Sequence, residues 1–202
     1  MDIVLENIYK EFKDKCIFER ANYIFKDKNI SFILGPSGVG KTTLLKILMG
    51  LETIENGKIK GIDNRKISAV FQEDAFCEEM SCINNIRLVR RNIDREKLEN
   101  YFKKMDMLDY IDRPVKNLSG GMKRRLAIIR AMAYNGDTYI MDEPFKGLDE
   151  ETKKTVIDFL LENIREKTVI IVTHDLEEVE YIKKSRECDI YYLNPVNRNN
   201  KQ

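Results

Sequence analysis

Two rhythms of apolar and polar residues run through this chain. Short β-branched and aromatic runs recur at 2–8 (DIVLENI), 30–34 (ISFIL), 68–71 (SAVF), 138–142 (TYIMD), 168–172 (TVIIV) and 189–193 (DIYYL). Runs this brief predict strands. Between several of them the apolar positions fall at helical spacing, which predicts helices over 41–50, 95–106, 119–134, 150–166 and 175–185. Strands flanked by helices predict an α/β fold built on a parallel sheet. The stretch from about 75 to 135 breaks this alternation, being charged and helical with no evident strand. It reads as a helical lobe inserted between SAVF and TYIMD.

Composition narrows the class. The 202 residues are 43% hydrophobic and 34% charged, with a net charge of +1, which is the profile of a soluble globular chain. A net charge this small gives no global basic field to recruit nucleic acid. Cys16, Cys77, Cys82 and Cys188 form no CxxC pair, and His174 is the single histidine, so metal ligation by these residues is not expected and the thiols read as reduced. The start, MDIVLENIYK, carries acids where a secretory signal would be basic. No segment approaches the ~20 apolar residues of a membrane span; a pore, if there is one, belongs to another chain. The polar tail NPVNRNNKQ is expected to fray.

Four predicted strands end at chemically loaded positions: Leu34 before a glycine-rich loop, Phe71 before Gln72, Met141 before Asp142, and Val172 before Thr173. In open α/β sheets ligands bind beyond the carboxyl ends of the strands, so these four ends describe one site. GPSGVGKTT, comprising Gly35, Pro36, Ser37, Gly38, Val39, Gly40, Lys41, Thr42 and Thr43, lies between a strand and a helix, the context a P-loop requires. Its backbone amides would curl around the β-phosphate at a helix N-terminus, Lys41 would reach the β- and γ-phosphates, and the Thr42 hydroxyl would ligate Mg²⁺. YIMDEPF ends a strand in two acids; Asp142 suits a role in holding Mg²⁺, and Glu143 is a candidate general base for an attacking water. His174, at the end of TVIIVT, is placed to contact the γ-phosphate and to hold Glu143 or the water. Gln72 could sense both Mg²⁺ and the water.

LSGGMKRR, Leu118 to Arg125, opens the last helix of the inserted lobe. Ser119 can cap that helix, and its hydroxyl with the amides of Gly120 and Gly121 can meet phosphate oxygens. Met122, Leu126 and Ile129 share the inward face, which leaves Lys123, Arg124 and Arg125 expected mostly on a solvated face. A second phosphate-binding device beside a single P-loop implies that it serves the nucleotide of another subunit.

In this order the motifs resemble those of the ATP-binding cassette (ABC) ATPases over nearly the whole chain: Walker A (35–43), Gln72, LSGGM (118–122), Walker B (139–143), GLD (147–149) and His174. The resemblance implies a P-loop NTPase core with a mixed, largely parallel sheet and an inserted helical subdomain, one domain with core 1–74 and 136–202 and helical part 75–135. It implies ATP and Mg²⁺, and a head-to-tail dimer, of like or unlike subunits, with ATP between one Walker A and the other signature. Transmembrane permease subunits would complete the assembly at the cytoplasmic face of the cell membrane. Asp149 would join the dimer interface, and Phe12 would stack on adenine, with Tyr9 a second candidate. Met122 in place of the usual glutamine and DEPF at Walker B are similar to importer subunits for nitrate, sulfonate and taurine. After Gln72 the sequence EDAFCEEMSCINNI lacks the aromatic-proline pattern common where the membrane partner docks, so that surface is expected to be particular to this system. The chain stops soon after its last strand, with no appended regulatory domain expected. A non-transport relative acting on DNA or the ribosome is the alternative; the coiled-coil insertions or fused second cassette usual there are not seen.

Overall fold

A computed structural model describes residues 1–13 and 15–196, so most of the polar tail lies outside the described residues. The chain builds two sheets. β3 (Ile30–Leu34), β5 (Ile67–Val70), β6 (Thr138–Asp142), β7 (Thr168–Val172) and β8 (Cys188–Tyr192) form a parallel sheet in the order β5-β6-β7-β3-β8. β1 (Ile3–Phe12), β2 (Lys15–Phe25) and β4 (Asn56–Lys60) form an antiparallel sheet in the order β2-β1-β4. The parallel strands were expected almost residue for residue. β2 and β4 were not, and β1 runs four residues beyond the predicted end at 8.

Every residue of β3, β6 and β7 is buried, as expected for a sheet covered on both faces. Their side chains alternate between two cores. Phe32, Tyr139, Met141, Val169 and Ile171 enter the core shared with the helical segment, whereas Ile33, Ile140, Ile170 and Val172 enter the one capped by the antiparallel sheet and α1 (Lys41–Leu48). The central strands are thereby held rigidly, and their carboxyl ends are aligned: Ile33 and Asp142 both pair with Val172, and Val70 pairs with Met141.

The remaining helices are α2 (Cys82–Arg87), α3 (Arg95–Lys104), α4 (Gly120–Tyr134), α5 (Glu150–Asn163) and α6 (Leu176–Lys183). Short polar side chains start five of the six: Ser81, Asp94, Ser119, Asp149 and Asp175 each accept a hydrogen bond from a backbone amide of the first turn. Caps of this kind are worth about 1 kcal/mol each. α1 differs, starting at Gly40 with φ of 111° and no side-chain cap, which leaves its first amides free to face a ligand. Between β5 and β6, α2, α3 and α4 pack with two 3₁₀ turns (Leu108–Tyr110 and Val115–Asn117) on residues such as Phe102, Leu126 and Ile129, all fully buried.

One expectation about α4 is overturned. Arg124 does not face solvent: it is 6% exposed, and its guanidinium donates to the carbonyls of Phe71 and Gln72 at 2.7 and 2.6 Å. Arg124 stands four residues before the fully buried Ile128, on the inward face. Arg125 also reaches back, donating to the Met105 carbonyl at 2.7 Å.

Candidate functional site

The loop after β3 and the residues that follow β5 and β6 converge on a cavity of about 300 Å³, lined by residues that include Ser37, Gly40, Lys41, Thr42, Gln72, Asp142 and Glu143. The glycine-rich loop leaves β3 at Leu34 and is anchored by Val39, 8% exposed among the residues of the second core, while Pro36, Ser37 and Gly38 remain exposed. Lys41 folds along the loop, its Nζ donating to the carbonyls of Gly35 and Pro36 at 2.7 and 2.9 Å. Thr43 also lines the cavity.

Thr42 and Asp142 meet at the floor. The Thr42 hydroxyl donates to Asp142 Oδ2 at 2.6 Å, joining residues a hundred positions apart. Burial pushes the Asp142 carboxyl above its ordinary value, the Thr42 hydrogen bond opposes this, and the neighbouring Glu143 charge adds to it. A hydroxyl and a carboxylate in contact are hard oxygen donors of the kind Mg²⁺ takes, and Gln72 lines the same cavity, so the residues present fit that ion.

Glu143 leaves the strand in a left-handed conformation, φ 47°, its amide bonded to the Val172 carbonyl at 2.9 Å. For a residue with a Cβ this costs about 1–2 kcal/mol, and such strain persists only where the surroundings impose it. Its Oε1 lies 3.0 Å from His174 Nδ1 and its Oε2 3.0 Å from Lys146 Nζ. Since an ionised carboxylate only accepts, the His174 ring carries its hydrogen on Nδ1. Burial pushes the Glu143 carboxyl up, but the bonds and charges of Lys146 and His174 outweigh it and hold the group below the ordinary glutamate value. The carboxylate is ionised at neutral pH and oriented from two sides.

His174 is positioned by the network around it. Thr173 donates to the buried Glu178 at 2.6 Å and accepts from the Asp175 amide at 3.1 Å, and Lys153 on α5 bonds Asp175 at 2.7 Å.

The other predicted residues fall elsewhere. Ser119, Gly120 and Gly121 do not line this cavity; Ser119 accepts from the Met122 amide at 3.3 Å, and a side chain added at Gly120 would meet nothing within 4 Å. Asp149 caps α5, accepting from the Thr152 amide and hydroxyl at 2.9 and 2.7 Å. Phe12 is 42% exposed, with Lys10 Nζ 4.6 Å from its ring centre, and it does not line the cavity; Tyr9 donates to Glu11 at 2.7 Å. The wall beside the loop is formed instead by Ile17, which with Lys15 and Cys16 also borders an adjoining cavity of about 400 Å³ along Pro36–Val39. Ile17 and Lys146 are the lining residues that sequence reasoning missed. Lys146 carried a signal in its spacing of three from Glu143, and Ile17 carried none.

A strand-loop-helix that can wrap phosphates thus faces a hydroxyl-carboxylate pair and an oriented carboxylate-imidazole pair. The family profile described as ABC transporter matches residues 18–146, more than half of the chain. The chain belongs to the ABC transporter family. Among relatives, this ABC chain is 34% identical over 196 residues to the Fe(3+) ions import ATP-binding protein FbpC of Fusobacterium nucleatum, covering 88% of this chain and 53% of that protein. It is 34% identical over 196 residues to a sulfate/thiosulfate import ATP-binding protein CysA of Chlorella vulgaris, covering 88% of this chain and 83% of the relative. The chain thus spans about half the length of the Fusobacterium relative. A solved structure described as an ABC transporter ATP-binding protein from Pyrococcus furiosus superposes with a TM-score of 0.81 at 22% identity, covering 96% of this chain and 98% of that one, and shows the shared fold. No helix among the described residues of this ABC chain is long and apolar enough to cross a membrane.

Proposed function

We propose that this chain is the ATP-binding and ATP-hydrolysing subunit of an ABC transporter. In this reading it works head-to-tail with a second ATPase subunit and docks on transmembrane permease subunits at the cytoplasmic face of the membrane. The observation that carries the proposal is the convergence of Lys41, Thr42, Asp142, Glu143 and Gln72 on one cavity, with His174 bonded to Glu143. Residues 75–135 act as the helical lobe of this one domain. The likeness to nitrate, sulfonate and taurine importers rests on Met122 and the DEPF stretch alone. The relatives above carry iron(III) or sulfate in their names, so the solute is left at the level of an import system.

The chemistry follows from the groups present. The P-loop amides and Lys41 bind the β- and γ-phosphates. Thr42, Asp142 and Gln72 would hold Mg²⁺, which would supply positive charge to the phosphate oxygens. Glu143 takes a proton from a water whose oxygen attacks the γ-phosphorus; the new P–O bond forms as the bond to the β,γ-bridging oxygen breaks, releasing ADP and phosphate. His174 keeps the Glu143 carboxylate aimed. Ser119, Gly120 and Gly121 serve the nucleotide of the second subunit, a reading supported by their not lining this cavity, and Asp149 lies in the interface between the two. Phe12, or Tyr9, covers the adenine. Titration with ATP tests the reading: Lys41→Ala should lose tight ATP binding, and unchanged affinity would refute the assignment of the loop.

A further inference from the structure

Gln72 sits in a segment, residues 71–79, that forms no helix or strand, yet it lines the cavity. An exposed glutamine on irregular backbone would wander unless something fixed that backbone. α4 supplies the fixing groups. Arg124 donates from two nitrogens of one planar guanidinium to two consecutive carbonyls, Phe71 and Gln72, at 2.7 and 2.6 Å. The same side chain lies 3.1 Å from the Asp74 carboxylate, which compensates its buried charge. Further along α4, Arg130 donates to the Ala75 carbonyl at 2.6 Å, with its guanidinium 4.3 Å from the centre of the Phe76 ring. Lys123 pairs with Glu78 at 2.9 Å.

We propose that Arg124 is the positioning residue for Gln72, fixing the Phe71–Gln72 backbone so that the glutamine side chain is held at the cavity. The inference rests on the ATPase reading above for its catalytic consequence, and on geometry alone for the fixing itself. A planar fork presents its two donors to successive carbonyls in fixed directions; a lysine ammonium, a point charge on a flexible stem, holds such a pair less rigidly. Arg124 lies on the first turns of the helix that Ser119 caps, so the Ser119–Gly121 segment and Gln72 belong to one connected unit.

The test uses the full chain with Arg124→Met, Arg124→Lys, Gln72→Ala and the double variants. Hydrogen–deuterium exchange, read by mass spectrometry without nucleotide, should quicken on the order of tenfold over 71–78 in Arg124→Met, in line with the loss of charged hydrogen bonds, while peptides of 35–43 stay as in the parent. In MgATP hydrolysis kcat should fall roughly ten- to a hundredfold with KM nearly constant, since a misplacement of about 1 Å costs on that order. Gln72→Ala added to Arg124→Met should cost little more, and Arg124→Lys should fall between parent and Met. Unchanged exchange over 71–78, or multiplicative losses in the double variant, overturns the inference. If the Met variant does not fold, Arg124→Lys carries both measurements. A parent that does not hydrolyse ATP refutes the ATPase reading, and the exchange result still decides whether Arg124 fixes the segment.

Discussion

Alanine at two glycines of the same loop should have unequal costs, and the structure sets the difference. Gly38 has φ of 74°, and an added Cβ would meet nothing within 4 Å. Gly38→Ala therefore carries backbone strain alone, about 1–2 kcal/mol. Gly40, φ 111°, is crowded as well: its Cβ would lie 2.4 Å from Ile17 Cγ2 and 3.2 Å from Phe18 Cζ. Both neighbours belong to β2, and both are packed in the second core, 9% and 4% exposed, so neither yields cheaply. Relieving such overpacking costs a further 1–3 kcal/mol or so, for a total of about 2–5 kcal/mol in Gly40→Ala. For a chain of this size each kcal/mol lowers Tm by roughly 2–4 °C, which separates the two variants in a thermal melt without nucleotide. Denaturant midpoints at unchanged m-value give the same comparison. Equal losses in the two variants, or Gly40→Ala within about 0.5 kcal/mol of the parent, the range of a neutral surface change, would refute the reasoning.

Three further outcomes are expected. Ser119→Arg should leave ATP binding by a single chain intact and block ATP-dependent dimer formation, read by light scattering; lost binding in the monomer would contradict a role for Ser119 in the partner's site. Lys146→Met removes a cation that holds the Glu143 carboxyl low, so Glu143 should protonate at higher pH and the acid limb of the kcat profile should move upward. An unmoved limb would mean that another group sets it. His174→Ala, which takes away the 3.0 Å bond to Glu143, should lower kcat far more than ATP affinity, on the scale of 10²–10⁴-fold if general-base action depends on that bond; a parental kcat would show that Glu143 is aimed without it.

The parts of the fold that the sequence displays are those in which one rule dominates. β3, β6 and β7 are continuously apolar because both faces are covered, and a motif follows each. Ser119 marks a helix start at the position expected for a cap. The antiparallel sheet was hidden because its signals conflict. β2 alternates imperfectly, with shifts of register against β1 and a positive φ at Arg20; β4 begins with Asn56–Gly57, a pair that reads as a turn. β1 continues past position 8 across Lys10, buried at 3% exposure because Glu52 and Glu55 pair with it at 3.0 and 2.8 Å, partners that no local pattern reveals. The site was legible at its strand ends, where Thr42 and Asp142 meet, and less so at its walls. Ile17 is an unremarkable strand residue, and Arg124 was misread because polarity was taken to mean exposure. Its spacing of four before Ile128 was available, but the carbonyls and the carboxylate that receive it lie on another element.

The account stands or falls on whether Glu143 activates water at this cavity. Steady-state MgATP turnover of the parent and of Glu143→Gln, at matched ATP saturation, tests it most directly. The predicted result is an active parent and a variant that binds MgATP as tightly but turns over slower by about 10²-fold or more, because the amide cannot accept the water's proton. A variant that hydrolyses ATP near the parental rate would contradict it, and the base would have to be sought elsewhere among the cavity's residues.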